Sequence, residues 1–465
     1  MTVPYWVQDA VFYQIFPDRF ANGDPKNDPP NVQPWGSPPT IRNFMGGDLR
    51  GIINKLDYLL DLGINCIYLN PIFQSPANHR YSTTDYYKID PRLGDMRDFN
   101  ALLEVAHNNG VRVILDGVFN HCGRGFFAFV DLLENQRDSA YRDWYHVKQF
   151  PVEAYLTSEA KDYLAWWSIN SLPKFNTSNP QVRRYLLDVA EYWIAQGADG
   201  WRLDVPNEID DDEFWGEFRQ VVKETNPDAY LVGEIWDQDP RWVGEGHFDG
   251  LMSYPVRKAL LQVLTSGTSE VAQFASKLES NLKAYQRENA YAMYVPLGSH
   301  DTERLLSILN GDVVKAKLAY LFQFAYPGAP AIYYGDEVGM VGGKDPECRG
   351  AFPWDQRQWN AELRAWVKLL VSTRKRIPAL RRGDYQHLLV DNRRRCFAFA
   401  RTLGDSAVMV VMNMSATRRH VRIQVSELGW EDGRILRNIL EREEFIVSGD
   451  SVTITLPPWS GKWLM

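Results

Sequence analysis

Cysteine is scarce. The chain has four in 465 residues (Cys66, Cys122, Cys348, Cys396), far apart and with no C-x-x-C pair. This argues against a disulfide scaffold and against a thiolate zinc site. No run of 18 apolar residues exists, so no membrane partner is expected. The first twenty residues, MTVPYWVQDAVFYQIFPDRF, lack the basic stretch and apolar run of a secretion signal. A cytoplasmic location is therefore expected. Positive charge is also short: Lys+Arg 51 against Asp+Glu 59 leaves a net charge of −8. No nucleic-acid partner is expected, and the one tight basic run, Arg393-Arg394-Arg395, reads as a solvated turn. Internal repeats and low-complexity linkers are missing too. What is plentiful is aromatic: 13% of residues, with 16 Trp. Aromatic faces stack on sugar rings, but large cores also use them.

Apolar β-rich runs alternate with amphipathic helical stretches along most of the chain. Candidate strands are residues 10–17, 64–71, 111–118, 198–205, 229–235, 248–254, 292–299 and 330–334. Helical patterns fill the spaces between them, as at 49–62, 96–109 and 181–196. Gly63, Gly110 and Gly197 stand where a helix would stop. Eight strand–helix units in order predict an α/β fold, a (β/α)8 TIM barrel. Two regions break the rhythm. An aromatic-rich excursion follows the third strand, and short alternating strands after Gly383 predict an antiparallel β-sandwich. The expected division is barrel at 1–120 and 176–382, an inserted domain B at 121–175, and a C-terminal β domain at 383–465.

Barrel active sites gather at the C-terminal strand ends. Those ends are polar here: Asp116–His121, Arg202 and Asp204, Glu234 and Trp236, His300 and Asp301. Side chains alternate along a strand, so Arg202 and Asp204 project the same way. Asp204, Glu234 and Asp301 should converge, with His121, Arg202 and His300 around them. Two carboxyl groups across a cleft, one ionised and one protonated, suit glycoside hydrolysis. Arg202 would hold Asp204 ionised, while Glu234 needs a raised pKa to act as acid.

These segments resemble the four conserved regions of the α-amylase family of glycoside hydrolases, at Asp116–His121, Gly200–Glu208, around Glu234, and at His300-Asp301. The resemblance implies that Asp204 is the nucleophile, Glu234 the general acid/base and Asp301 the transition-state stabiliser. His79, Tyr81, His121, Arg202 and His300 would line the reacting sugar, and Asp116 would orient Arg202. Leu172-Pro-Lys-Phe-Asn176, Val205-Pro-Asn-Glu208 and Asp345-Pro-Glu-Cys-Arg349 are similar to markers of the cyclomaltodextrinase, neopullulanase and maltogenic amylase group. By that resemblance Asp345 and Arg349 contact the next sugar, and Trp236 lies on the leaving-group side. Pro206, Leu172, Phe175 and Ser82 depart from the group's usual residues.

The resemblance also bears on metal and assembly. Asn22, Asp24, Asn27 and Asp28, followed by Gly46 and Asp48, form a dense set of hard oxygen donors. The same pattern carries a structural Ca²⁺ in the group. The group's N-terminal β-sandwich has no counterpart before the first strand. Any homodimer is therefore expected to use a barrel or C-terminal surface, and the cleft is expected to admit longer or branched glucans. The activity expected is retaining hydrolysis of α-1,4 bonds in maltooligosaccharides, cyclomaltodextrins, pullulan or branched glucans, with α-1,6 bonds left open. A glucan-transferring or debranching enzyme is the alternative.

Overall fold

The computed structural model describes residues 3–267 and 270–465. Eight parallel strands form the core: β1 (Phe12–Ile15), β2 (Cys66–Leu69), β3 (Arg112–Gly117), β4 (Gly200–Leu203), β5 (Tyr230–Gly233), β6 (Gly250–Leu251), β7 (Tyr294–Pro296) and β8 (Ala329–Tyr333). Their order is β6-β5-β4-β3-β2-β1-β8-β7. A parallel bridge between Met252 and Tyr294 joins β6 to β7 and closes the barrel. All eight strands lie within or overlap the runs expected from sequence. Such strands are buried on both faces and so read as near-continuous apolar runs.

The two-residue period sorts each strand into an inner and an outer set. Phe12, Cys66, Tyr68, Ile114, Tyr230, Val232 and Tyr294 pack together inside the barrel. Tyr13, Ile15, Ile67, Leu69, Val113 and Leu115 face outward into the core shared with the helices. Register pairs Gln14 with Tyr68, Tyr68 with Ile114, and Asp116 with Arg202. The inner set therefore ends, at the carboxyl side, in polar residues.

The outer helices show how local sequence sets their bounds. Helix Pro180–Ala195 starts at Asn179, whose side chain accepts from the N–H groups of Gln181 and Val182. Such a cap contributes about 1 kcal/mol. Its buried stripe is Val182, Leu186, Val189, Ala190, Trp193 and Ile194. Helix Met96–Asn108 opens with a capping box between Asp95 and Asp98. Gly63, Gly110 and Gly197 have φ of +91°, +69° and +106°, where a side chain would be strained. One expectation fails in detail. Residues 49–62 form two helices, Leu49–Asn54 and Leu56–Leu62, because Lys55 leaves the helical region at φ −112°, ψ 10°.

Between β3 and helix Pro180–Ala195 lies the excursion. It contains the helix Phe127–Asn135 and a set of short antiparallel bridges, including His121–Lys174, Tyr145–Phe175 and Ala165–Pro173. The end of the chain forms two four-stranded antiparallel sheets. The first contains β9 (Asp384–Asp391), β10 (Cys396–Leu403), β11 (Ser406–Asn413) and β16 (Ser460–Leu464), in the order β9-β10-β11-β16. The second contains β12 (Arg419–Gln424), β13 (Ile435–Arg437), β14 (Glu444–Ser448) and β15 (Ser451–Leu456), in the order β12-β15-β14-β13. Cys396, Ala398, Met409 and Val411 of the first sheet meet Val421, Ile423, Val452 and Ile454 of the second. Alternate residues of the first sheet, Phe397, Phe399, Val408 and Val410, join the barrel's core. Among the described residues no helix is long and apolar enough to cross a membrane.

Candidate active site

Arg202 organises the carboxyl end of the barrel. It lies on the inner face of β4 and is 1% exposed. Its Nη1 donates to Asp116 Oδ1 at 2.8 Å and to Asp204 Oδ1 at 2.9 Å. Its Nη2 lies 2.8 Å from Glu234 Oε2. Leu203 pairs with Gly233, which sets Asp204 and Glu234 side by side on β4 and β5. Glu234 Oε2 also accepts from the Val205 N–H at 3.1 Å. One guanidinium is thus divided among three buried carboxyl groups.

Asp301, after β7, belongs to a second linked set. His300 Nε2 lies 3.0 Å from Asp301 Oδ2, and Arg349 Nη2 lies 3.2 Å from Asp301 Oδ1. Arg349 also donates to the His300 carbonyl and pairs with Asp345 at 3.2 Å. Tyr81 joins the two sets. Its hydroxyl donates to Asp116 Oδ2 at 2.7 Å and lies 2.6 Å from His300 Nε2, with the rings 5.4 Å apart and nearly parallel. His79 stacks on Tyr81 and accepts its backbone N–H through Nδ1. His121 stacks on Trp166 with centroids 5.6 Å apart. Trp236 is 46% exposed and lies flat on Tyr254, 3.9 Å between centroids.

These surroundings set the proton affinities. Burial raises Glu234 above the ordinary glutamate range; Asp301 adds to this, and Arg202 opposes it. Burial also raises Asp204, with Glu234 and Asp116 adding and Arg202 opposing. Burial thus outweighs the Arg202 charge that the sequence expected to keep Asp204 ionised, and its proton affinity stands above the usual aspartate range. Asp301 goes the other way. Burial alone would raise it, but His300 and Arg349 hold it below the usual aspartate range. Burial pushes His79 and His121 down to about 3, so both rings are neutral. His121 Nδ1 meets the Asn120 amide nitrogen at 3.1 Å, which leaves the ring proton on Nε2.

Several supporting residues escaped the sequence reading. Gln14 on β1 donates to Asn70 Oδ1 and lies 2.9 Å from His300 Nδ1. Asn70 donates to the Tyr81 hydroxyl at 3.0 Å. Tyr68 donates to Asp116 Oδ2 at 2.6 Å. A signal for Gln14 existed, since it is the one polar residue in the apolar run Phe12–Phe16. Tyr254 beneath Trp236 left no local signal.

The oxygen-rich loop lies apart, between β1 and the helix that Asp48 caps. The Asp48 carboxylate accepts the N–H groups of Gly23, Asp24 and Gly51 and the Asn27 side-chain amide. The Asn22 amide donates to both oxygens of Asp28. Asn27 Oδ1 is buried with no partner. A Cβ at Gly46 would meet Asp28 Oδ1 at 2.2 Å, so the backbone there closes against these side chains. Among the described residues no group of three or more His, Cys, Asp and Glu converges as a metal site. Any ion would therefore need the amide and carbonyl oxygens too.

Comparison with known proteins agrees with this geometry. Residues 14–379 match the family described as Alpha amylase, catalytic domain, and residues 385–463 match Maltogenic Amylase, C-terminal domain. The chain is 46% identical over 458 residues to a cyclomaltodextrinase of Geobacillus thermopakistaniensis, covering 98% of this chain and 76% of that one. Among solved structures, cyclic α-maltosyl-(1→6)-maltose hydrolase from Arthrobacter globiformis superposes with a TM-score of 0.91 at 41% identity, covering 100% of both chains. The debranching enzyme of Nostoc punctiforme superposes with a TM-score of 0.90 at 39% identity, covering 100% of this chain and 99% of that one. With matched regions spanning both the barrel and the terminal sheets, the chain belongs to the α-amylase family of glycoside hydrolases.

Proposed function

We propose that this enzyme hydrolyses α-glucans with retention of configuration, acting on α-1,4 and α-1,6 bonds. The observation that carries the reading is the Asp204–Arg202–Glu234 cluster at the ends of β4 and β5. Asp204 would attack the anomeric carbon, Glu234 would protonate the departing oxygen, and Asp301 would stabilise positive charge on the sugar. Burial raises both Asp204 and Glu234, and the Glu234 charge adds to the rise on Asp204. In this reading the proton rests on Glu234, whose proton affinity burial raises as an acid requires. His79, Tyr81, His121 and His300 would line the reacting sugar, with Asp345 and Arg349 serving its neighbour. Trp236 would present its open ring face on the leaving-group side. The names of the relatives, a cyclomaltodextrinase, a hydrolase of an α-1,6-containing cyclic maltoside and a debranching enzyme, support glucans containing either bond.

Retention requires the two carboxyl groups to stand about 5–5.5 Å apart, too close for a water to enter between nucleophile and sugar. The first product seen by proton NMR is therefore the α-anomer. A β-anomer appearing first would exclude Asp204 as nucleophile.

We also propose that the loop after β1 takes a structural Ca²⁺. Its donors are hard oxygens, Gly46 closes the cradle, and the buried Asn27 Oδ1 lacks any other partner. Asn22, Asp24, Asn27, Asp28 and the Gly46 carbonyl would hold the ion, with Asp48 serving once the Asn27 amide turns. An ion bound only to the folded state stabilises it, by about 2.7 kcal/mol at a hundredfold excess over Kd. Chelation should lower Tm, and added calcium should restore it. A Tm indifferent to both, in wild type and in Asn27→Leu alike, would reduce the loop to a hydrogen-bonded turn.

A further inference from the structure

The excursion after β3 carries a ring column that the proposed chemistry leaves unused. Trp166 stacks on His121 at 5.6 Å and 22°, and Trp167 stacks on Trp166 at 4.5 Å and 11°. The column starts at a ring beside the catalytic cluster and ends at the surface. Trp167 is 76% exposed, so its outer face is open. The column shares a ladder with the active site: His121 bridges Lys174 while Ala165 bridges Pro173.

The backbone beneath it is strained. Trp167 has φ 50°, ψ 30°, and Ser168 follows at φ 59°. Left-handed backbone costs a residue with a Cβ roughly 1–2 kcal/mol. Here two such residues stand in succession, pinned by Ser168 N–H to Ala165 O, Ile169 N–H to Trp166 O, and Ala160 N–H to Ser168 O. A large apolar ring with one face stacked and the other held in solvent on a strained turn gains little for the fold. Strain of this kind marks places where function over-determines the conformation. The flat apolar face of a glucose ring is what an open indole beside a glucan site would meet.

We propose that the outer face of Trp167 is a distal glucose subsite, engaging glucans long enough to run from the catalytic pocket to the rim of the excursion. The proposal rests on the hydrolase reading above. The Trp166 and Trp167 rings both lie between this face and the His121 ring. One sugar therefore cannot touch both His121 and the outer face, and short substrates do not reach the subsite.

The test uses Trp167→Asn and Trp167→Phe. Asparagine suits left-handed backbone, so it removes the ring without adding strain. For Trp167→Asn we expect Tm equal to or above wild type. We expect KM for maltoheptaose to rise about tenfold, equivalent to about 1.4 kcal/mol, with kcat and the KM for maltotriose unchanged. Trp167→Phe, which keeps a smaller face, should fall between. Equal KM changes for both lengths, or none, would overturn the subsite. So would a wild-type dimer that Trp167→Asn dissolves, since that gives the face to a second copy. If wild type cleaves neither sugar, the hydrolase reading fails, and the subsite is then judged by binding. Maltoheptaose should change the indole fluorescence of wild type saturably and with a Kd about tenfold tighter than for Trp167→Asn, and identical titrations would refute it.

Discussion

Asp204→Asn should abolish turnover while leaving the fold in place. The loss expected in kcat on a maltooligosaccharide is on the order of 10⁴-fold or more, the scale seen when one member of a covalent catalytic unit is removed. The amide keeps the carboxylate's shape and can still accept from Arg202 Nη1, so Tm should stay close to wild type. What would be lost is the oxygen anion proposed to bond to the anomeric carbon. Circular dichroism and Tm establish the fold, and a coupled glucose or reducing-end assay follows turnover. A variant that hydrolyses at the wild-type rate would remove Asp204 from the chemistry.

Glu234→Gln should show a loss that depends on the substrate. A general acid contributes about 10²–10⁴-fold where the leaving group needs a proton. Natural glucans should lose that much. An activated glucoside, whose leaving group departs as an anion, should lose far less in its first step. The comparison is informative because Glu234 touches both Arg202 and the Val205 N–H. A merely positional role would depress both substrates alike, and that result would reject the acid assignment.

Much of this was legible in the linear sequence for a physical reason. Parallel barrel strands are buried on both faces, so they stand out as apolar runs, and the polar residues closing four of those runs mark the mouth. Four strands of the terminal sheets were not legible. Asp384–Asp391 is mostly half-buried without clean alternation, Glu444–Ser448 alternates but fully buries only Val447, and Ile435–Arg437 and Ser460–Leu464 are short. The site shows a similar division. Residue identities and strand ends named Asp204, Glu234 and Asp301, but their electrostatic relation was invisible. Nothing in the spacing of Arg202 and Asp204 says that the same guanidinium also reaches Glu234 and Asp116. Stacking of Trp236 on Tyr254, and of Trp166 on His121, joins residues 18 and 45 positions apart, and only the closed barrel and folded excursion bring them together.

The shared guanidinium of Arg202 has a consequence for the order of events along the proposed cycle. When Asp204 becomes an ester it ceases to be an anion, and its claim on Arg202 lapses. The same positive charge then faces only Asp116 and Glu234. Glu234 has just given its proton to the departing chain, and its carboxylate now sits beside a cation with one competitor fewer. Its proton affinity falls at the moment it must remain unprotonated long enough to draw a proton from the incoming water. Release of the ester restores the third anion and lifts that affinity again. On the proposed roles, acidity at Glu234 would thus be timed by the covalent state of Asp204, through a side chain that need not move.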